Sequence, residues 1–153
     1  WAPILVHTCE EVNDFFHTEA ESIHLGSFAQ PLDVHNADAI KADMERMMAI
    51  RQDIFKALEE ARAEKVIGKS LEAHVIVNVS DEDRALIEKL CGNHFNQWLI
   101  VSKVSFSVDK LKQYEVCGVA IEKCEGKVCP RCWNITDSHA EDGLCERCAE
   151  VLK

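Results

Sequence analysis

The chain has 153 residues, a formal net charge of −10, and apolar and charged fractions of 47% and 29%. This length fits one ordinary domain or two or three small modules, and the composition is that of a soluble globular protein. The acidic balance excludes sequence-blind nucleic-acid binding, which needs a basic surface, but it leaves room for RNA contact through one local patch.

The ends and the cysteines indicate the cellular context. No apolar run approaches the length of a membrane span, and the start, Trp-Ala-Pro-Ile-Leu-Val, lacks the basic region of a signal peptide. Because an apolar segment follows Trp1 at once and no initiator Met is present, we expect a piece of a longer protein. Four of the eight cysteines belong to a metal motif, and the others lie in apolar or patterned contexts: Cys9, Cys91, Cys117 and Cys124. This usage favours a reducing cytoplasm.

Residues 1–67 predict a helical segment. Thr8, with Glu11 three residues later, has the pattern of a capping box that starts a first helix. Asn36 is the predicted N-cap of a long helix, and Gly68 suits the residue just past its end. Apolar residues recur in that helix at steps of three and four or their multiples: Ile40, Met44, Met47, Ile54, Leu58 and Ala61.

Arg51 is the one misfit in this apolar stripe. An unpaired buried charge is costly, so Arg51 needs a carboxylate partner or an open edge. Two interpretations remain open: its stem packs while its head reaches water, or its guanidinium points at a phosphate or a base.

Residues 68–123 predict a small α+β module. Apolar and polar residues alternate over 71–79, a short helix follows Ser80, and further strands are predicted at 98–108 and 114–123. The order is therefore β-α-β-β. If the first two strands share a sheet, a right-handed crossover makes them parallel.

Residues 124–153 predict a metal-binding module. Two Cys-x-x-Cys motifs supply four thiolates, the ligand set of tetrahedral structural zinc: Cys129, Cys132, Cys145 and Cys148. Two disulfides or redox dithiols are the alternative, and His139 between the pairs is a possible competitor for the metal. The segment is too small to bury a sufficient core, so metal binding would supply folding free energy, on the order of 10 kcal/mol.

The predicted architecture is an α+β multi-module fragment with a helical segment at 1–67, a β-α-β-β module at 68–123 and a four-Cys zinc knuckle or ribbon at 124–153. The sequence contains no phosphate-cradling glycine loop and no Gly-x-Ser-x-Gly motif. We therefore predict a binding module without catalytic residues of its own.

Several blocks together resemble the C-terminal region of bacterial isoleucyl-tRNA synthetases. They are Ala2-Pro3-Ile4-Leu5-Val6-His7-Thr8 with Glu10-Glu11-Val12, Ser22-Ile23-His24-Leu25, Arg51 with Leu58-Glu59-Glu60-Ala61-Arg62, Val66-Ile67-Gly68-Lys69-Ser70-Leu71-Glu72-Ala73, Ile100-Val101-Ser102-Lys103-Val104, and Lys127-Val128-Cys129-Pro130-Arg131-Cys132-Trp133-Asn134 with Leu144-Cys145-Glu146-Arg147-Cys148. The chain departs from the family at Cys9 and Asn13, where Ala and Trp are frequent.

The resemblance implies a tRNA-recognition fragment of an isoleucine-tRNA ligase. In that family the helical bundle and the zinc module embrace the anticodon stem and loop, while a distant active site charges tRNA with isoleucine, using ATP and Mg²⁺. The catalytic core would lie upstream in the same polypeptide, a cytoplasmic enzyme that we expect to be monomeric and without membrane contact.

Six residues are RNA-contact candidates by this resemblance. Arg131 and Trp133 come first, because a knuckle Arg suits a phosphate or base edge and an exposed Trp suits base stacking. The second group is Arg51, Arg62, Lys65 and Lys69. The alternatives are that Trp133 caps the zinc knuckle and that Arg131 donates to the thiolate sulfurs.

Three other functions remain open. A free-standing zinc-ribbon adaptor would use the acidic surface to bind a basic protein partner. A DNA-repair glycosylase tail also ends in four cysteines, but the acidic balance and the upstream blocks disfavour it. A dithiol oxidoreductase would need an exposed thiol pair with low pKa values.

Overall fold

The computed structural model describes residues 1–16, 20–140 and 143–152. Its α-helices and β-strands, in chain order, are α1 (Val6–Phe16), α2 (Ala37–Ala63), β1 (Ala73–Asn78), α3 (Asp81–Cys91), α4 (Phe95–Leu99), β2 (Lys103–Phe106), β3 (Lys112–Gln113), β4 (Gly118–Lys123), β5 (Lys127–Val128), β6 (Ile135–Thr136) and α5 (Glu146–Val151). Short 3₁₀ helices span Ile23–Leu25, Ser70–Glu72 and Gly92–His94. Among the described residues, no helix is long and apolar enough to cross a bilayer.

The chain divides into two compact units, residues 1–36 and 37–153. In the first unit, the Glu10 carboxylate on α1 accepts hydrogen bonds from the Ser22 hydroxyl (3.0 Å) and the Ile23 amide (3.3 Å). The predicted cap at Thr8 is wrong, because α1 already begins at Val6. A turn in which the amides of Ile4 and Leu5 donate to the Trp1 carbonyl leads into the helix upstream of Thr8.

Helix α2 confirms the predicted apolar stripe from Met47 onward. Its buried apolar residues are Met47, Ile50, Ile54, Ala57, Leu58 and Ala61, whereas Ile40 and Met44 are exposed. The end of the helix differs from the prediction at Gly68. Lys65 takes the left-handed position (φ 61°), and the amides of Lys65 and Val66 close the helix on the carbonyls of Arg62 and Ala61. This pair of bonds is a Schellman motif, which satisfies carbonyls that the helix end leaves open.

The sheet has the order β2-β1-β4-β3, with β1 and β2 parallel as predicted and β4 antiparallel to both of its neighbours. Its buried face and α2 share one apolar core, to which Val75, Val77 and Val119 contribute from the sheet. The α+β class is therefore confirmed. The three-module division at 67/68 and 123/124 stays a prediction, and α2 packs with the sheet inside the second unit.

Two predicted strands are shorter than expected. The strand at 98–108 is only Lys103–Phe106, because Phe95 and Leu99 bury one face of the helical turn α4, which ends at Ile100 in a left-handed conformation (φ 58°). The strand at 114–123 begins at Gly118. The four residues before it form a turn whose amides at Val116 and Cys117 donate to the buried Asp53 carboxylate at 2.6 and 3.0 Å.

Candidate metal centre and nucleic-acid interface

The first cysteine pair lies in the turn of the β5–β6 hairpin. Val128 pairs with Ile135, and the Cys129 amide donates to the Asn134 carbonyl at 2.9 Å. Gly126 makes this hairpin possible, because its φ is +120° and an added Cβ would lie 2.5 Å from the Thr136 carbonyl oxygen. A side chain at that position would force the two strands apart.

The second pair lies at the start of α5. Cys145 is the residue before the helix, and Cys148 lies in its first turn, so both sulfurs face the same point. The four sulfurs of Cys129, Cys132, Cys145 and Cys148 lie within 4.8 Å of one another. Three of these residues are buried and Cys132 is half-buried.

The geometry of this cluster fits a metal better than a disulfide. The Cys132 and Cys145 sulfurs are 3.7 Å apart. A disulfide requires about 2.0 Å. A tetrahedron with zinc–sulfur bonds of about 2.3 Å has an edge of about 3.8 Å. The donor set therefore matches a four-coordinate site that leaves the metal no open position for catalysis.

Hydrogen bonds already favour charge on part of this cluster. The Cys145 amide donates to the Cys129 sulfur at 3.4 Å, and this bond, with the amides of Cys132 and Arg131, lowers the pKa of Cys129 to about 6. Burial raises the pKa of Cys145 to about 12. The like charges of four adjacent thiolates repel, so a bound cation is needed to hold all four deprotonated.

Two arginines face the sulfurs. Burial opposes charge on Arg147, but the adjacent thiols of Cys132 and Cys148 favour it and together raise the Arg147 pKa. Burial opposes charge on Cys148, but the neighbouring Cys145 and Cys132 thiols, together with the Arg131 guanidinium, lower the pKa of that thiol. Zinc with four thiolates carries a net charge of about −2, which two guanidinium groups offset.

Sequence reasoning missed Arg147, although the signal was present. Both motifs place an arginine directly before their second cysteine, Arg131 before Cys132 and Arg147 before Cys148. Each Cys-x-x-Cys motif therefore carries its own positively charged side chain. His139 pairs through its backbone with Cys145, and the four sulfurs converge without it.

Trp133 occupies an unusual position in the first knuckle. Its φ is 62°, the left-handed region that bulky residues rarely adopt, and its amide donates to the Cys129 carbonyl at 2.9 Å. Its side chain is 67% exposed, whereas Leu144 is the apolar side chain that packs on the buried cysteines. The hydrophobic-cap interpretation of Trp133 therefore has no support in the packing.

Arg51 and Arg62 are engaged within the fold. The Arg51 guanidinium lies 4.1 Å from the centre of the Phe55 ring and 5.4 Å from that of the Trp98 ring. These cation–π contacts stabilise the positive charge within the apolar stripe of α2. Arg62 donates to the Glu59 carboxylate and to the Ser70 hydroxyl.

Lys65 and Lys69 lie in the connection between α2 and β1, and both are exposed. They are far along the sequence from Arg131 and Trp133, but all four belong to the second unit.

The fold and the cluster together define a small α+β unit that carries a candidate structural metal knuckle with an outward-facing Trp. Residues 1–77 match the anticodon-binding domain of tRNA ligases. The chain belongs to this family.

Curated relatives agree over nearly the whole chain. The isoleucine–tRNA ligase 1 of Oceanobacillus iheyensis is 39% identical over 160 residues, and the isoleucine–tRNA ligases of Geobacillus kaustophilus and Staphylococcus haemolyticus are 38% and 41% identical over 165 and 159 residues. Each match covers 99% of this chain but only 17 to 18% of the relative. The predicted resemblance to the C-terminal region of isoleucyl-tRNA synthetases is confirmed.

Proposed function

We propose that this chain is the tRNA-recognition part of an isoleucine–tRNA ligase and that it contacts the anticodon stem and loop. The match to an anticodon-binding domain and the names of the relatives support this assignment. The larger polypeptide would be a class I aminoacyl-tRNA synthetase that joins isoleucine to tRNA with ATP and Mg²⁺ in its upstream domains. We expect that enzyme to be cytoplasmic and monomeric.

The metal of this proposal is one structural Zn²⁺ per chain. Cys129, Cys132, Cys145 and Cys148 would hold it, and zinc would supply the free energy that orders the hairpin and α5. Arg131 and Arg147 would balance the excess negative charge of the thiolates. In this role zinc shapes a surface for RNA and performs no reaction.

The conformation of Trp133 is the observation that carries the RNA assignment. A non-glycine residue in the left-handed region costs about 1 kcal/mol, and glycine would avoid that cost. An exposed indole also gains little from packing, because 67% of it faces solvent. Glycine at this position would make the fold more stable than Trp does. An exposed aromatic residue that is kept at such a cost beside a candidate metal site is typical of a binding group. An unpaired anticodon base is a suitable partner, since such bases stack on aromatic side chains.

The other candidates fall into two roles. Lys65 and Lys69 are exposed ammonium groups, suited to the phosphates of the anticodon stem. Arg131 lies beside Trp133 and would share its guanidinium between the Cys148 sulfur and RNA. Arg51 and Arg62 were predicted contacts, but their partners Phe55 and Glu59 favour roles in the fold, and RNA contact by either would require sharing those groups.

Replacement of Trp133 by glycine separates the two explanations of this residue. The zinc-loaded Trp133→Gly chain should keep its metal and gain up to about 1 kcal/mol of stability, because the left-handed strain is relieved. Its affinity for an isoleucine tRNA anticodon stem–loop should fall roughly 5- to 150-fold, the loss of ~1–3 kcal/mol of stacking. Trp133→Phe, which keeps an aromatic face, should retain most of the affinity.

The measurement is fluorescence anisotropy of a labelled stem–loop at several salt concentrations, with a stem–loop of scrambled loop sequence as control. The proposal is refuted if Trp133→Gly binds the anticodon stem–loop as tightly as the parent chain. Loss of zinc or of knuckle stability in Trp133→Gly would instead identify the indole as a cap. Capture of a basic protein partner with no RNA affinity in any variant would favour the adaptor alternative.

A further inference from the structure

The hydroxyl of Ser102 connects the zinc hairpin to the sheet. Ser102 Oγ donates to the Leu71 carbonyl at 2.6 Å and accepts from the Ile135 amide at 2.7 Å. Leu71 lies just before β1, and Ile135 is the first residue of β6. A serine hydroxyl has one proton to donate, and here it bridges two backbone groups from different parts of the second unit.

Ser102 is itself held in place by its neighbours. The Val101 amide donates to the Asn96 carbonyl at 3.0 Å, and the Asn96 side chain donates to the Ser102 carbonyl at 3.4 Å. The Val101 side chain is buried in the core. The hydroxyl therefore extends from a rigid point between α4 and β2.

The two legs of the β5–β6 hairpin are attached to the carbonyls of two consecutive residues, Leu71 and Glu72. The Cys124 amide, on the leg that enters the hairpin, donates to the Glu72 carbonyl at 2.7 Å. The returning leg is bonded at Ile135 through Ser102 to the carbonyl of Leu71. We call these two attachments the hairpin root. The first is a direct backbone bond, so Ser102 is the point at which a side chain controls the second.

We propose that Ser102 is a positioning residue that sets the direction in which the zinc hairpin presents Trp133 and Arg131 to RNA. Ile135 is two residues from Trp133, the Asn134 carbonyl accepts a hydrogen bond from the Cys129 amide, and the Trp133 amide donates to the Cys129 carbonyl, so the backbone that carries the indole moves with the root. Without this bridge, the returning leg is held by the Cys124 thiol, 3.9 Å from the Ile135 carbonyl oxygen, and by its pairing with β5. Both partners belong to the entering leg, so the hairpin as a whole can pivot at Cys124 and Gly126. This proposal rests on the proposed function, because it assigns the orientation of the same RNA-binding group.

The Ile-Val-Ser-Lys-Val block thereby acquires a role that is independent of the metal and of direct RNA contact. Its valines pack into the sheet, and its serine supplies the bridge. The charge and the sulfur ligands are unaffected by a change at Ser102, so zinc content and orientation can be measured separately.

The test is Ser102→Ala in the zinc-loaded chain, with Ser102→Thr as the conservative variant that keeps the hydroxyl. Ser107→Ala is the matched control, because within the part of the chain that the structure describes the Ser107 hydroxyl bonds only to Asp109. Amide residual dipolar couplings report whether the hairpin and the sheet still share one alignment, and hydrogen exchange reports on the Ile135 amide. Anisotropy measures affinity for the anticodon stem–loop.

In Ser102→Ala we expect one zinc per chain, unchanged couplings in the sheet, couplings of the hairpin that no longer fit the sheet alignment, and rapid exchange at Ile135. RNA affinity should fall on the order of tenfold. Binding would then have to restore the orientation that the bridge maintained, at a cost close to the net free energy of one or two hydrogen bonds within the protein. Ser102→Thr should restore both alignment and affinity, and Ser107→Ala should change neither.

Unchanged hairpin alignment in Ser102→Ala overturns the proposal, whatever happens to RNA binding. A realigned hairpin with full affinity overturns it too, because orientation would then not matter. The affinity of Trp133→Gly distinguishes the causes. If that variant binds weakly, only the role of Ser102 has failed; if it binds normally, the proposed RNA function has failed and the positioning role fails with it.

Discussion

Removal of the proposed zinc should unfold the β5–β6 hairpin and α5 and leave the sheet intact. Among the described residues, Leu144 is the one partly buried apolar side chain of another type that packs on the cysteine cluster, and burial of one leucine contributes roughly 1.5–3 kcal/mol. Each ordered residue costs about 1.5 kcal/mol of conformational entropy. Apolar burial therefore cannot order the β5–β6 hairpin and α5, and the proposed zinc would supply the difference, on the order of 10 kcal/mol.

The sheet does not depend on that contribution, because its core and the cysteine cluster share no residue. A chelator under reducing conditions should abolish the hydrogen-exchange protection of the Cys129 and Ile135 amides, while the amides of Val75 and Val119 stay protected. One zinc per chain should be lost, as measured by mass spectrometry. Cys148→Ser should reproduce the effect, and Cys91→Ser, at a cysteine outside the cluster, should not.

Persistent protection of the hairpin in metal-free protein would refute this reasoning, since some other interaction would then have to order the segment. Simultaneous loss of the sheet would refute it as well, because the two clusters would not be independent.

Two further predictions concern the second unit. The bidentate Arg46 guanidinium, at 2.7 and 2.8 Å, lowers the pKa of the buried Asp83 carboxyl, so this pair stabilises the fold above the unfolded-state pKa of about 3.9 and ceases to do so as pH falls through the folded-state value. The unfolding free energy, measured by urea titration at a series of pH values, should therefore fall at acid pH, and Asp83→Asn should make that fall less steep. An unchanged pH dependence in Asp83→Asn would contradict the assignment. Lys65→Gly should raise the unfolding free energy by up to about 1 kcal/mol, because glycine suits the left-handed residue after α2, and an unchanged or lower value would contradict that account.

The periodic parts of the fold could be predicted from the sequence, and the parts fixed by distant contacts could not. Alternation over β1 and the parallel pairing with β2 were confirmed, because one-sided burial imposes a period of two. The predicted extent of β2 was wrong. Apolar residues at 95, 98 and 99 are compatible with a helical turn as well as with a strand. The stacking of Phe95 on Trp98 and Phe106 stabilises the helical turn. Lys65 illustrates the same limit, since a glycine three residues later suggested a different helix end.

The site divides in the same way. The four cysteines were identified by spacing alone, because ligand spacing is local and the chemistry of sulfur is specific. The partners of Arg51 and Arg62 were not, because each depends on which face of α2 the sheet and its connections cover. Ser102 carries no chemical signature in the sequence at all; its role appears only when β6 is placed beside it.

Because the net charge is −10, ordering of the RNA-contact groups before binding matters more for this chain than for a basic protein. A strongly basic protein attracts RNA over a distance and tolerates loosely placed groups, but this chain lacks that general attraction. In the proposed RNA complex the affinity must therefore come from a few contacts, and each contact contributes more if no side-chain or loop entropy is lost on binding. In the proposed complex, a Trp in a left-handed turn, a zinc ion that would order the turn and a hydrogen-bonded root that would orient it would all reduce that loss before RNA binds. Loosening any one of the three should therefore weaken binding even where every RNA-contacting group is still present.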